Sequence, residues 1–258
     1  MPEPTAQPFP PPAGDDRIFA APKPRIDDFN FGAQTAAVFD DMLNRSVPFY
    51  GETQRMVGEM VADFATAESN IYDLGCSTCN TFLAAGHYLS KQTPVRFIGL
   101  DSSPQMLDKA HSKLKETGFP WEYELHQADL NEGVHVHNAS VVLMILTLQF
   151  VRPLHRDALL GSVFRGLNDN GCVILVEKVL GENSTFNRLF IKYYYDLKKR
   201  QGYSDLEIAQ KREALENVLI PYRLEENKQL LRRAGFRHVD VFFKWYNFCG
   251  IIAMKQAE

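Results

Sequence analysis

Residues 71–81 read IYDLGCSTCNT. An apolar run reaches an acid, Asp73, and turns on a glycine, Gly75. A strand that ends this way and opens a helix is how a nucleotide-binding loop of an open α/β sheet begins. The glycines that should follow are missing, because Ser77 and Cys79 stand where G-x-G-x-G loops keep glycine. The stretch therefore predicts the fold class directly and leaves the ligand open.

Outward from this loop, short apolar runs alternate with helical patterns. VRFIGLD (95–101) and WEYELHQAD (121–129) read as strands, and PQMLDKAHSKLKETG between them reads as a helix with Pro104 at its start. ASVVLMILTLQF (139–150) is apolar almost throughout, as a strand buried on both faces must be. A helix over HRDALLGSVFRGLN and a strand over GCVILVEK (171–178) follow. This rhythm predicts an α/β fold with an open, mostly parallel, Rossmann-like sheet of about seven strands. After Lys178 two helices interrupt it. The first carries Phe186, Leu189, Phe190, Tyr193 and Leu197 on one side. The second opens with Ser204 and Glu207 spaced as a capping box and is expected to reach Leu219. A helix ending at Gly235 and two strands joined at Tyr246 and Asn247 close the chain, the last pair antiparallel. Two further helices precede the loop, separated by RSVPFY (45–50).

The chain has 258 residues, 45% of them hydrophobic, with a formal net charge of -4. That suits one soluble domain and gives no bulk attraction for nucleic acid. Residues 1–15 hold six prolines and read as a disordered tail. Residues 16–256 read as a single domain, with the helical insertion at about 184–220. No signal peptide or membrane span is visible, and a cytoplasmic protein is expected. Cys76 and Cys79 form a C-x-x-C, but no second pair or neighbouring histidine completes a zinc set. Buried, reduced thiols are the expectation, and no metal site is expected.

Ligands of such sheets sit beyond the carboxyl ends of the strands. Four ends carry suitable side chains. Gly75, Cys76 and Ser77 follow Asp73, in a turn whose backbone N–H groups are expected to face a ligand. Asp101, about 25 residues after the first glycine, suits the two hydroxyls of a ribose. Asp129 and Leu130 suit the amino group and ring of an adenine. Ile145 to Gln149 faces the reacting end. A dinucleotide needs a glycine where Ser77 stands, whereas S-adenosylmethionine has no pyrophosphate to seat and tolerates serine. Outside this set, Ile208, Arg212, Leu215 and Leu219 share a helical face by spacings of four, three and four. A guanidinium on such a face requires an anion, either a protein carboxylate or a bound one. Arg45 and Tyr50, flanking Pro48, make a second polar cluster, and Glu177 shows no partner that would make it a base.

RIFAAP (17–22), RSVPFY, IYDLGCS (71–77), LDSSPQM (100–106), LTLQF (146–150) and GYSDLEIAQKREALENV (202–218) together resemble the carboxy-S-adenosyl-L-methionine synthase family, over about residues 16–256. The resemblance implies a class I methyltransferase fold and a homodimer. It implies that S-adenosylmethionine and prephenate are converted to carboxy-S-adenosyl-L-methionine and phenylpyruvate. The carboxymethyl group would later reach a tRNA wobble uridine through a partner enzyme. Tyr50, Gly75, Cys76 and Ser77 would line the amino-acid side of the cofactor. Asp101 and Ser102 would meet the ribose and adenosine, and Asp129 and Leu130 the adenine. Arg212 would bind the transferred carboxylate, from the neighbouring subunit. The implied chemistry moves carbon dioxide from prephenate to the sulfonium methyl carbon. The leaving hydroxide takes that methyl's proton, so a dry pocket and a fixed cation matter more than a catalytic base.

Two positions depart from the family pattern. The family's N-x-TLQF has Ile145 in place of its asparagine, and GCSLGAAT becomes GCSTCNT, with Cys79 for the second glycine. Asn80, close in sequence, is one candidate to compensate for the lost amide, and a shifted reaction or second substrate is the alternative. The competing reading is methyl transfer to a small molecule, with Tyr193, Tyr194 and Tyr195 near the acceptor. A non-catalytic reading requires Arg212 to be sealed against a protein acid.

Overall fold

The computed structural model describes residues 15–256. The proline-rich tail, apart from Asp15, lies outside the described residues. Five parallel strands form the body of the sheet: β1 (Ser69–Leu74), β2 (Val95–Asp101), β3 (Glu122–Gln127), β4 (Ala139–Ile145) and β5 (Leu167–Leu180). β7 (His238–Trp245) and β8 (Phe248–Met254) extend it as an antiparallel pair, giving the order β3-β2-β1-β4-β5-β8-β7. An eighth strand, β6 (Tyr222–Arg223), pairs only with the end of β5 and is too short to leave a periodic signal. The order reverses between β1 and β4, the switch point where doubly wound sheets open a crevice.

Burial on both faces explains the apolar runs. Val141 and Leu143 of β4, with Ile174 and Val176 of β5, pack on α2 (Tyr50–Phe64), α3 (Asn80–Tyr88) and α4 (Pro104–Glu116). Their neighbours Val142, Met144, Val173 and Leu175 face α5 (Pro153–Gly166) and α8 (Leu224–Ala234). Side chains that alternate across a strand and find a core on each side leave no polar position free. α1 (Ala33–Ser46) rests on α4, with Phe39, Met42 and Met106 buried together.

The two inserted helices are α6 (Ser184–Arg200) and α7 (Asp205–Leu215). The Ser204–Glu207 capping box forms at the start of α7. Two expectations change here. α7 stops at Leu215 rather than Leu219, because Pro221 follows and the Ile220 N–H donates to the Gln149 carbonyl at 2.8 Å. The buried residues of α6 are Tyr194 and Lys198, not the stripe from Phe186 to Leu197. Phe190 and Tyr193 of that stripe stack instead on Tyr246, which is itself exposed.

The ends of β4 and β5 are clasped by side chains. Glu177 is buried, and its two carboxylate oxygens accept the N–H groups of Leu148 and Gln149, each at 2.9 Å. The Gln149 side-chain carbonyl accepts the Lys178 N–H at 3.0 Å. Burial lifts the Glu177 carboxyl to about 8, while these backbone donors and Arg156 oppose the rise. Glu177 thus holds the 3-10 turn Leu148–Phe150 and is not a free base. Glu177→Gln offers one acceptor oxygen to two N–H groups. Urea titration is expected to show a loss of about 1–3 kcal/mol for the N–H left unpaired.

Candidate functional site

A cavity of about 400 Å³ lies beyond the carboxyl ends of the parallel strands. Tyr50, Gly75, Cys76, Ser77, Asp101, Ser102, Asp129, Leu130, Ile145 and Arg212 all line it. Residues at or just after the ends of β1, β2, β3 and β4, together with Tyr50 at the start of α2 and Arg212 of α7, thus converge on one space.

The loop after β1 adopts a glycine-like path with one glycine. Gly75, Ser77 and Cys79 have φ of 84, 48 and 59°. Gly75 is required twice over, since a Cβ there would also stand 2.5 Å from the Thr147 side chain. The expectation that loop N–H groups face a ligand is not met. The N–H groups of Gly75 and Cys76 donate to the Leu100 carbonyl at 2.7 and 3.0 Å. That of Cys79 donates to the Cys76 carbonyl at 2.8 Å, and that of Ser77 to Asp101 Oδ2 at 2.9 Å. A turn whose donors are consumed is a poor seat for phosphate. Cys76 and Cys79 are free and buried, and no cluster of metal-ligating side chains occurs among the described residues.

Asp101 accepts the Ser77 and Ser103 N–H groups on different oxygens, each at 2.9 Å, which leaves lone pairs on both for a ligand. Asp129 is exposed and accepts from the Asn131 N–H and amide, so it is a turn residue as well as a cavity wall. Below the loop, Asp73 is buried and its Oδ1 has no hydrogen-bond partner. Burial and the nearby Asp101 charge lift its carboxyl to about 8. Asp73 therefore keeps its proton near neutral pH, and the acid that lines this end of the cavity is Asp101.

Tyr50 is fixed by a polar cluster. Asn80 Nδ2 donates to the Tyr50 hydroxyl at 3.3 Å and to Asp40 at 3.0 Å, while Asn80 Oδ1 accepts from Lys113 at 2.7 Å. Asn80 lines the cavity beside Tyr50 with both amide hydrogens committed, which leaves only its oxygen, already accepting once, to stand in for the amide missing at Ile145. Arg45 is also committed within the protein. It donates to the Gln201 carbonyl at 2.9 Å and lies 4.1 Å over the Tyr203 ring.

Arg212 is exposed rather than buried on an apolar face. No ion pair engages it among the described residues, which removes the seal that the non-catalytic reading requires. It lines the cavity of its own chain. Tyr194 and Tyr195 line it too, but Tyr193 packs on Tyr246 outside. Sequence reading missed Lys198 and Lys211. Both are buried and line the cavity. They stand in the runs KKR and QKR, which read as solvated charge, and only their helical phase relative to Tyr194 and Ile208 would have revealed them.

Residues 71–171 match the methyltransferase domain family. The fold is shared with S-adenosylmethionine-dependent methyltransferase SibL in its apo form, at a TM-score of 0.57 and 19% identity over 93% of this chain and 65% of that one. An O-methyltransferase family protein from Burkholderia thailandensis gives a TM-score of 0.62 at 13% identity, over 87% and 60% of the two chains. The carboxy-S-adenosyl-L-methionine synthase of Methylococcus capsulatus is 57% identical over 240 residues, 93% of this chain and 99% of that protein. That of a Nitratiruptor species is 41% identical over 245 residues, 94% and 99% of the two. The chain belongs to the carboxy-S-adenosyl-L-methionine synthase family.

Asp73 gives this family member a testable pH signature. Its folded pKa of about 8 lies above the unfolded value of roughly 3.9. Between those values the folded state keeps a proton that the unfolded state has lost, so stability falls as pH rises through that window. Asp73→Asn removes this contribution. Thermal melts of the ligand-free protein from pH 5 to 8 are expected to show a shallower decline for Asp73→Asn than for wild type.

Proposed function

We propose that the protein transfers the carboxyl carbon of prephenate to the methyl group of S-adenosylmethionine, giving carboxy-S-adenosyl-L-methionine, phenylpyruvate and water. The observation that carries this reading is the polarity of the cavity at the strand ends. Its β1–β2 end combines consumed backbone donors with the acid Asp101, and its α7 end presents Arg212. An acidic end suits a sulfonium nucleoside, and a guanidinium suits a carboxylate.

In this reading Asp101 and Ser102 hold the ribose side, Asp129 and Leu130 the adenine, and Tyr50 and the Gly75–Ser77 turn the methionyl side. Ile145 walls the reacting methyl without offering it an acceptor. The bound nucleoside would supply the methyl carbon, made nucleophilic when the hydroxide leaving prephenate takes its proton, so that a C–H bond breaks as the new C–C bond to carbon dioxide forms. Arg212 holds the transferred carboxylate and stabilises its charge. Methyl transfer to a neutral small molecule would have no use for a cation there. The product would leave for a separate tRNA wobble-uridine enzyme, in keeping with the net charge of -4. The working protein would be a cytoplasmic homodimer. No helix among the described residues is long and apolar enough to cross a membrane.

The test is incubation of the purified protein with S-adenosylmethionine, with and without prephenate, followed by mass spectrometry. A prephenate-dependent nucleoside heavier by one carboxylate is expected. Arg212→Ala should lower its rate by roughly 100-fold or more. A nucleoside-binding protein that makes no such product, and that Arg212→Ala leaves unchanged, would contradict the reading.

A further inference from the structure

Three lysines reach the cavity from the side opposite the nucleoside loop: Lys178 of β5, Lys198 of α6 and Lys211 of α7. Lys211 has a partner, Asp16, at 3.5 Å. Lys198 is only 5% exposed, yet no carboxylate or other acceptor engages its ammonium among the described residues. Lys178, half-buried, is in the same condition. Both stand over one ring, that of Tyr194, at 4.7 Å for Lys198 and 5.0 Å for Lys178.

A buried ammonium without a carboxylate is costly, and two beside one ring repel each other. The face of a tyrosine offsets part of this cost for each. Burial first, then Lys211 and Lys178, pushes the Lys198 ammonium well down, and burial pushes Lys178 down to about 8. Lys198 faces Lys211 of α7 and Asp16 of the N-terminal segment, while Arg212 of α7 and Glu216 just after it line the same cavity. Asp16 is already shared by Tyr203 at 2.6 Å and by Lys211. The cavity end thus has more cations than carboxylates to answer them.

We propose that Lys178 and Lys198 form an anion seat, distinct from Arg212, that binds a carboxylate of the carboxyl donor. This rests on the proposed function, and it deepens it by assigning the donor's own recognition site. The donor is a dicarboxylate that gives up one carboxyl carbon and keeps the other. Arg212 meets the group that moves, and the lysine pair meets the group that stays. Position separates the seat from the methionyl carboxylate, since Tyr50 and Gly75 lie at β1 whereas the seat lies beyond β4, at β5 and α6.

The test is steady-state kinetics of Lys198→Met with prephenate as the varied substrate, together with calorimetric binding of S-adenosylmethionine and a thermal melt. KM for prephenate is expected to rise roughly 30-fold or more, the loss expected when one member of a buried charge contact is removed. Nucleoside affinity should stay within about twofold, and the melting temperature should not fall, because a buried unpaired cation has been removed. Lys198→Arg should recover most of the lost affinity. Lys178→Met is the second variant, read the same way should Lys198→Met not fold. An unchanged prephenate KM in an active protein would overturn the seat. A loss of nucleoside affinity in step with the KM rise would overturn it too, by assigning the lysines to the methionyl carboxylate. A wild-type protein that makes no carboxylated nucleoside from prephenate is a different result, and it overturns the proposed function itself.

Discussion

A buried carboxylate near the start of the described chain, Asp16, fixes the roof of the cavity. It is 2% exposed. Its Oδ2 takes both the Tyr203 hydroxyl at 2.6 Å and the Lys211 ammonium at 3.5 Å, and its Oδ1 accepts the Ile18 N–H at 3.5 Å. Its N–H donates to Asp41 at 2.8 Å, and its carbonyl accepts from Arg45 at 3.4 Å. One residue therefore joins the N-terminal segment, α1 and the α6–α7 connection. A buried charge kept this way is tolerated only because each oxygen and the backbone have partners. Because α7 carries Lys211 and Arg212, and α6 carries Lys198, the cationic half of the cavity is held over the strand ends through this contact. The sheet itself would form without it, since its packing is apolar on both faces.

The other half depends on where the loop spends its donors. In phosphate-binding turns the backbone N–H groups point outward. Here Gly75 and Cys76 donate to Leu100, and Ser77 donates to Asp101. The loop is thereby bound to β2, and what remains to meet a ligand is oxygen and negative charge. The cavity is polarised along its length, with the acid Asp101 at β2 and cations at β5, α6 and α7. Two substrates of opposite local charge would be oriented by that field alone, before any specific contact was made.

The sheet was legible because its signals are local and periodic. β4 reads as buried from composition alone, and the Ser204–Glu207 cap is a spacing rule that the backbone obeys. Strand ends follow from the strands, so the acids Asp101 and Asp129 were legible with them. The lysines were not. Lys198 sits in a run of three basic residues, and nothing in that run says which one turns inward. The choice is made by Tyr194, one turn earlier on the same face, and by the tertiary position of α6. The orientation of the loop N–H groups was illegible for the same reason: their acceptors belong to the neighbouring strand, β2. Arg212 was expected on an apolar face, and it does line the cavity with Leu215 and Leu219, but it is exposed rather than buried.

The two departures from the family pattern then differ in kind. Cys79 does not reach the cavity. It is fully buried, with φ of 59°, packed in the core with Cys76 and Phe82. A non-glycine residue in that region costs about 1–2 kcal/mol, and a small buried thiol offsets part of it by filling space a glycine would leave empty. The change is internal to the loop. Ile145 does line the cavity, between the acidic and cationic ends. Where an amide would offer the reacting centre both a donor and an acceptor, isoleucine offers neither, and both Asn80 amide hydrogens are spent on Tyr50 and Asp40. A drier wall lowers the local dielectric and strengthens each charge that faces it. In the proposed reaction, more of the burden of holding developing negative charge would fall on Arg212 and the lysines, because no neutral amide shares it.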